Sequence, residues 1–144
     1  MNIQLNERQF LDALLYSSKF NKKDFQLLCS FYNSPKHCIS LDSVKELFND
    51  QLEITSLKRL GSIGRKILDY HKIDVYADVS RYRINYYDFY CIKKIKSNGC
   101  ICWTLNVEMI TALDKLRSLI TETDNNSFMS LNARHRFTSI RNRA

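Results

Sequence analysis

The 144-residue chain is 44% hydrophobic with only three glycines and one proline, which excludes a low-complexity or disordered sequence and suffices for one compact core. Its first residues, MNIQLNERQF, lack a basic segment followed by an apolar one, and no apolar run approaches the ~20 residues of a membrane span, so a soluble, cytoplasmic protein is expected. The net charge of +7 is uneven: seven acids against six bases leave residues 1–55 at −1, while sixteen bases against eight acids put residues 56–144 at +8, so a polyanion-facing surface is expected there.

In chain order, residues 7–17 read as a first helix with Phe10, Leu11, Leu14 and Leu15 on its apolar side. Asn21 caps a second over 22–33, where Phe25, Leu28 and Phe31 form a stripe that Leu27 and Tyr32 widen. Asn33-Ser34-Pro35 ends it, since the residue before proline avoids the helical region. Ser40 or Asp42 opens a short third helix with Val44, Leu47 and Phe48 inward, and Asn49 and Asp50 close it. Thr55 to His71 is a fourth helix, capped by Thr55 or Ser56. Leu57, Leu60, Ile63, Ile67 and Leu68 fall on one side of it, and Lys58, Arg59, Ser62, Arg65 and Lys66 on the other. The apolar stripe docks on a core and leaves the cationic face to a phosphate backbone. Gly61 and Gly64 lie inside this helix, where glycine costs ~1 kcal/mol against alanine. Close packing, or close approach to a phosphate, would account for them.

The period then changes. Ile73, Val75, Ala77 and Val79 alternate with Asp74, Tyr76 and Asp78, as in a half-exposed strand or extended loop. Residues 82–90 are dense in aromatics. Tyr87 to Lys96 reads as a strand, Asn98-Gly99 as a hairpin turn and Cys100 to Leu105 as the return strand. Paired across that turn, Tyr90, Ile92, Trp103 and Leu105 share one face with Lys94 and Lys96 nearer the tip. Lys93, Ile95, Cys102 and Thr104 share the other. Such a hairpin is either a cationic wing beside a recognition helix or an ordinary amphipathic hairpin with a solvated tip. Asn106 caps a last helix over 107–121, with Met109, Leu113, Leu116 and Ile120 on its buried side. TETDNNS (121–127) is a polar linker, and residues 128–144 hold Arg134, Arg136, Arg141 and Arg143 without an acid. This basic tail orders on a polyanion or stays solvated. The expected fold class is α+β, a winged helix-turn-helix in which helices precede a β-hairpin wing and a C-terminal helix. It occupies 1–121, with linker and tail over 122–144.

Two stretches, LKRLGSIGRKI (Leu57 to Ile67) and IKSNGCICWTLNVEMITALDKL (Ile95 to Leu116), resemble a winged-helix-like domain that precedes HNH nuclease domains in some bacterial restriction-type endonucleases. The positions that carry the resemblance are Gly61, Gly64, Arg65 and Lys66, then Trp103 and Leu105, then Glu108 to Leu116. It spans residues 22–118. What it implies is a DNA-facing accessory domain. No nuclease domain is expected to follow, so a restriction-like role would need a partner. A lone module of this kind would be a regulator, or a counter-defence protein of a phage or mobile element.

No catalytic constellation assembles. The histidines His37, His71 and His135 lack zinc-ligand spacing. The five cysteines include no CxxC and read as reduced core thiols. Gly61-x-x-Gly64 has no lysine-serine pair after it and is not a phosphate loop. The expectation is a protein without enzymatic activity, metal or cofactor. Two functions remain open. In the first, the protein binds nucleic acid, most simply double-stranded DNA. Lys58, Arg59, Arg65 and Lys66 contact phosphates, Ser62 lies near base edges, Lys93, Lys94 and Lys96 grip from the hairpin, and Arg134 and Arg136 add neutralisation. In the second, it inhibits a host nucleic-acid enzyme by protein–protein contact, with Tyr82, Tyr86 and Tyr87 at the interface.

Overall fold

The first two helices start by the same device. Asn6 accepts from the Gln9 N–H at 2.9 Å while the Gln9 side chain accepts from the Asn6 N–H, which opens α1 (Glu7–Tyr16). Asn21 and Asp24 repeat this reciprocal pair at α2 (Lys22–Asn33). Each box satisfies two backbone donors that a helix start otherwise leaves open. The computed structural model describes residues 3–75 and 84–122, the last three by backbone alone. Ala77, Val79, Tyr82 and the tail with Arg134 and Arg136 lie outside the described residues.

Among those residues the chain is α+β, with five α-helices and one three-stranded antiparallel sheet. After α2 a 3-10 turn at Pro35–His37 leads into β1 (Cys38–Ser40). Ser40 then caps α3 (Leu41–Phe48), accepting from the Ser43 N–H at 3.1 Å, and Asn49 ends it at φ +53°. α4 is Glu53–Tyr70, β2 Cys91–Ile95, β3 Ile101–Leu105 and α5 Val107–Glu122. The sheet order is β1-β3-β2. Asn106 caps α5 by accepting from the Met109 N–H at 2.9 Å. No helix among the described residues is long and apolar enough to cross a membrane.

The core is shared by every layer. Trp103, Tyr90, Phe10, Phe31, Leu60, Ile63 and Ile67 are among its largest fully buried side chains. Trp103 stacks edge-on against Tyr87, and Tyr90 against Phe31. The Tyr90 hydroxyl donates to the Leu60 carbonyl at 2.7 Å, which ties the start of β2 to the middle of α4. Outside, α1 packs along α5, and Lys115 reaches Glu7 at 3.0 Å.

Three expectations are corrected. α4 begins two residues earlier than expected, at Glu53. Its N-cap is Leu52, which has no capping side chain, and Ser56 lies buried in the helix with its hydroxyl on Asp50 instead. The strand expected over Tyr87 to Lys96 is shorter: residues Tyr86–Phe89 form a 3-10 turn. The hairpin register differs by one residue. Cys91 faces Leu105, Lys93 faces Trp103 and Ile95 faces Ile101. Lys96 and Cys100 close a three-residue loop whose last member, Gly99, sits at φ +84°. A type I turn ending in a left-handed glycine fits Asn-Gly as well as a two-residue turn does. The one-residue slip exchanges the faces. Lys93 therefore shares the face of Trp103, while Lys94 and Lys96 lie on the opposite face with Ile92 and Cys102.

Candidate nucleic-acid interface

α4 presents four stripes to its surroundings, as a period near 3.6 requires. Leu60, Ile63 and Ile67 face the core and are fully buried. On one flank, Gly61 and Gly64 run beneath the 3-10 turn at Tyr86. A Cβ built on Gly64 would lie 1.9 Å from the Tyr86 carbonyl oxygen, so only glycine lets the two backbones meet. Packing accounts for this glycine; a phosphate is not needed. The opposite flank, with Thr55, Arg59, Ser62 and Lys66, lines a groove of ≈ 260 Å³ whose far wall is Asn21, Lys23, Asp24 and Phe48. The fourth stripe is the outer ridge, where Ile54, Lys58 and Arg65 are exposed.

The expected cations of α4 divide into two kinds. Arg59 donates twice to Asp50, from Nε at 2.9 Å and Nη2 at 2.8 Å, and lies 4.4 Å over the Phe48 ring. Lys66 donates to Asp24 at 2.6 Å. Both carboxylates are buried, with side chains 3% and 8% exposed. A buried carboxylate needs its cation, because leaving it unpaired in a poorly solvating environment is costly. These two cations are thus neutralised within the fold. Lys58 and Arg65 make no ion pair among the described residues; Arg65 rests 5.9 Å over the Tyr86 ring. Ser62 is half-buried between the two sets.

The Arg59 guanidinium, through its hydrogen bonds, holds the Asp50 carboxyl below its ordinary value of 3.8, against the upward push of burial, and Ser56 assists. A carboxylate whose folded pKa is depressed adds stability that is fully present above the unfolded value. That stability is lost as pH falls through the folded value. Arg59→Met should accordingly be less stable than the parent above about pH 4, with the gap closing on acidification. Urea midpoints measured across that range check this.

The hairpin supplies a second set of cations. Lys93, Lys94 and Lys96 are all exposed, and so are Ser97, Asn98 and Gly99 at the tip. The aromatic residues stand otherwise. Tyr87 is buried against Trp103, and Tyr86 is half-buried on α4. Of the aromatic residues expected at an interface, Tyr87 is thus part of the core, while Tyr86 keeps part of its surface. His37 stacks on Tyr32, and its Nδ1 lies 2.8 Å from the Tyr32 carbonyl.

Three features escaped the sequence reading. Lys23 joins the groove from the first turn of α2. Asp24 and Asp50 neutralise two of the four helix cations, from 42 and 9 residues away. Ile54 stands on the outer ridge; starting the helix at Glu53 would have placed it there by spacing alone. No family model matches this chain, and no curated protein or solved structure matches it either.

Proposed function

We propose that the protein is a non-enzymatic, cytoplasmic DNA-binding module of the winged-helix type, a regulator or an accessory unit, with α4 as recognition helix and the β2–β3 hairpin as wing. The observation that carries the reading is the order of elements. A helix, a short strand, two helices and a hairpin follow one another, and the short strand pairs with the return strand of the hairpin to give β1-β3-β2. This order supports a winged helix-turn-helix reading, in which the second helix of the pair would be presented to the major groove. Charge supports the same assignment. Lys58 and Arg65 on the ridge, Lys23 beside the groove, and Lys93, Lys94 and Lys96 on the hairpin are, among the described residues, exposed cations without an ion pair.

In this reading Lys58 and Arg65 hold phosphates, the three wing lysines grip the backbone, and Arg59 and Lys66 shape the helix face. Each neutralised phosphate releases counterions, so affinity should fall with a log–log salt slope of about −0.9 per contact. Six contacts correspond to a slope near −5. Titration of mixed duplex DNA by fluorescence anisotropy from low to physiological salt tests this. A flat response, or no binding at low salt, rejects the proposal and leaves the cations to an acidic protein surface.

A further inference from the structure

The first turn of α4 differs in chemistry from the rest of its outer ridge. Lys58 and Arg65 are cations, but the turn ahead of them presents Leu52 and Ile54, 62% and 55% exposed, with Glu53 between them. Leu47, near the end of α3, is 41% exposed. Scattered exposed apolar side chains are ordinary. Leu47, Leu52 and Ile54 are close in sequence where α3 hands over to α4, and exposed apolar surface concentrated there suits a contact. An acid in the same turn repels phosphate, so this corner does not serve the backbone-gripping surface.

We propose that Ile54 reads the C5 methyl group of thymine, so that the ligand of this surface is duplex DNA containing A·T pairs. The inference rests on the DNA-binding reading above. Ile54, Lys58 and Arg65 are spaced by four and seven residues and so occupy one stripe. A helix lying in the major groove brings its N-terminal residues, here Ile54, to the base edges, while Lys58 and Arg65 farther along reach the flanking phosphates. The thymine methyl is the apolar group offered there. A branched aliphatic side chain pressed on that methyl removes both from water, whereas it gains nothing from a phosphate or a polar base edge. Charge complementarity selects DNA over an apolar protein surface as the occupant. Ile54 shares its stripe with Lys58 and Arg65, which make no ion pair among the described residues, and an apolar protein surface would have to bury both.

The test compares binding of the full chain to alternating poly(dA-dT) and to poly(dA-dU), which lacks only the methyl groups, at one salt concentration. The parent should bind the uracil duplex about three- to fivefold more weakly for each methyl contacted. Ile54→Ala should bind both duplexes alike, at the level of the parent on uracil. Lys58→Ala should weaken both and keep the ratio. Circular dichroism verifies that the variants fold. Equal affinity of the parent for the two duplexes overturns the methyl contact while leaving DNA binding in place, and the patch then belongs to a protein. A thymine preference that survives Ile54→Ala overturns the assignment to this residue. Binding to neither duplex at low salt removes the underlying reading as well.

Discussion

Gly64→Ala should destabilise the protein by about 2–3 kcal/mol, while Gly61→Ala, three residues earlier in the same helix, should stabilise it by up to ~1 kcal/mol. The difference lies entirely in what the new methyl meets. At Gly64 it falls 1.9 Å from the carbonyl oxygen of Tyr86 and 2.7 Å from its carbonyl carbon. Both are backbone atoms that cannot rotate away, so α4 and the Tyr86 turn must separate. That separation strains the adjoining contacts of Tyr87 and Tyr90 with the core, including the Tyr90–Leu60 hydrogen bond. At Gly61 the nearest atom is the Tyr86 Cβ at 3.9 Å, an ordinary contact. There alanine brings only its better helix propensity and the smaller freedom of the unfolded chain. Urea denaturation followed by the helical circular-dichroism signal measures both. Equal effects of the two substitutions would mean that the turn does not rest on α4 as described.

The second large effect separates stability from binding within one helix. Arg59→Met and Lys66→Met keep the aliphatic stems but leave Asp50 and Asp24 buried without a cation. Each should cost about 3 kcal/mol, at the lower end for breaking a buried pair because the cations themselves remain partly hydrated. Lys58→Ala and Arg65→Ala remove exposed side chains and should leave stability within about 0.5 kcal/mol. For duplex DNA the order reverses. Lys58→Ala and Arg65→Ala should weaken binding to all sequences alike and lower the salt slope by about one each. Arg59→Met and Lys66→Met should leave the slope nearly unchanged wherever the protein is still folded. Paired unfolding and anisotropy measurements on the four variants would expose a wrong division: a salt slope that responds to Arg59 places it on the ligand after all.

The helices were largely legible because their signals are local. Asn21 and Pro35 bracket α2, and Asn106 marks the start of α5. The hairpin was legible in place but not in register. Asn98-Gly99 fits a two-residue turn and equally the end of a three-residue loop, and the observed loop places buried Cys91, not exposed Ile92, on the face of Trp103 and Leu105. β1 left no trace in the sequence. Three residues, Cys38 to Ser40, are too few for a period of two to emerge, and their strand character comes from pairing with β3. The start of α4 was misplaced because Leu52 carries no capping group, while Thr55 and Ser56 look like caps. In the candidate interface, the exposure of Lys58 and Arg65 followed from amphipathic spacing; that of Lys93 and Lys94 did not, since they point to opposite faces of the hairpin and both are exposed. The neutralisation of Arg59 and Lys66 did not, because their partners come from other parts of the chain and meet them only in the folded protein.

The middle strand of the sheet is also the last to be made. β1 and β2 lie on opposite sides of β3 and share no hydrogen bonds, so a growing chain that has delivered residues up to Ile95 holds two outer strands and no centre. Ile39 must then wait for Trp103, the partner that seals the inner face of the sheet. Contacts so distant in sequence are slow to form, and unpaired strand edges are exposed to other chains meanwhile. During synthesis, therefore, helices α1 to α4 precede the sheet and α5 follows it, and the lysine-bearing hairpin comes into being only when Ile101 to Leu105 have left the ribosome.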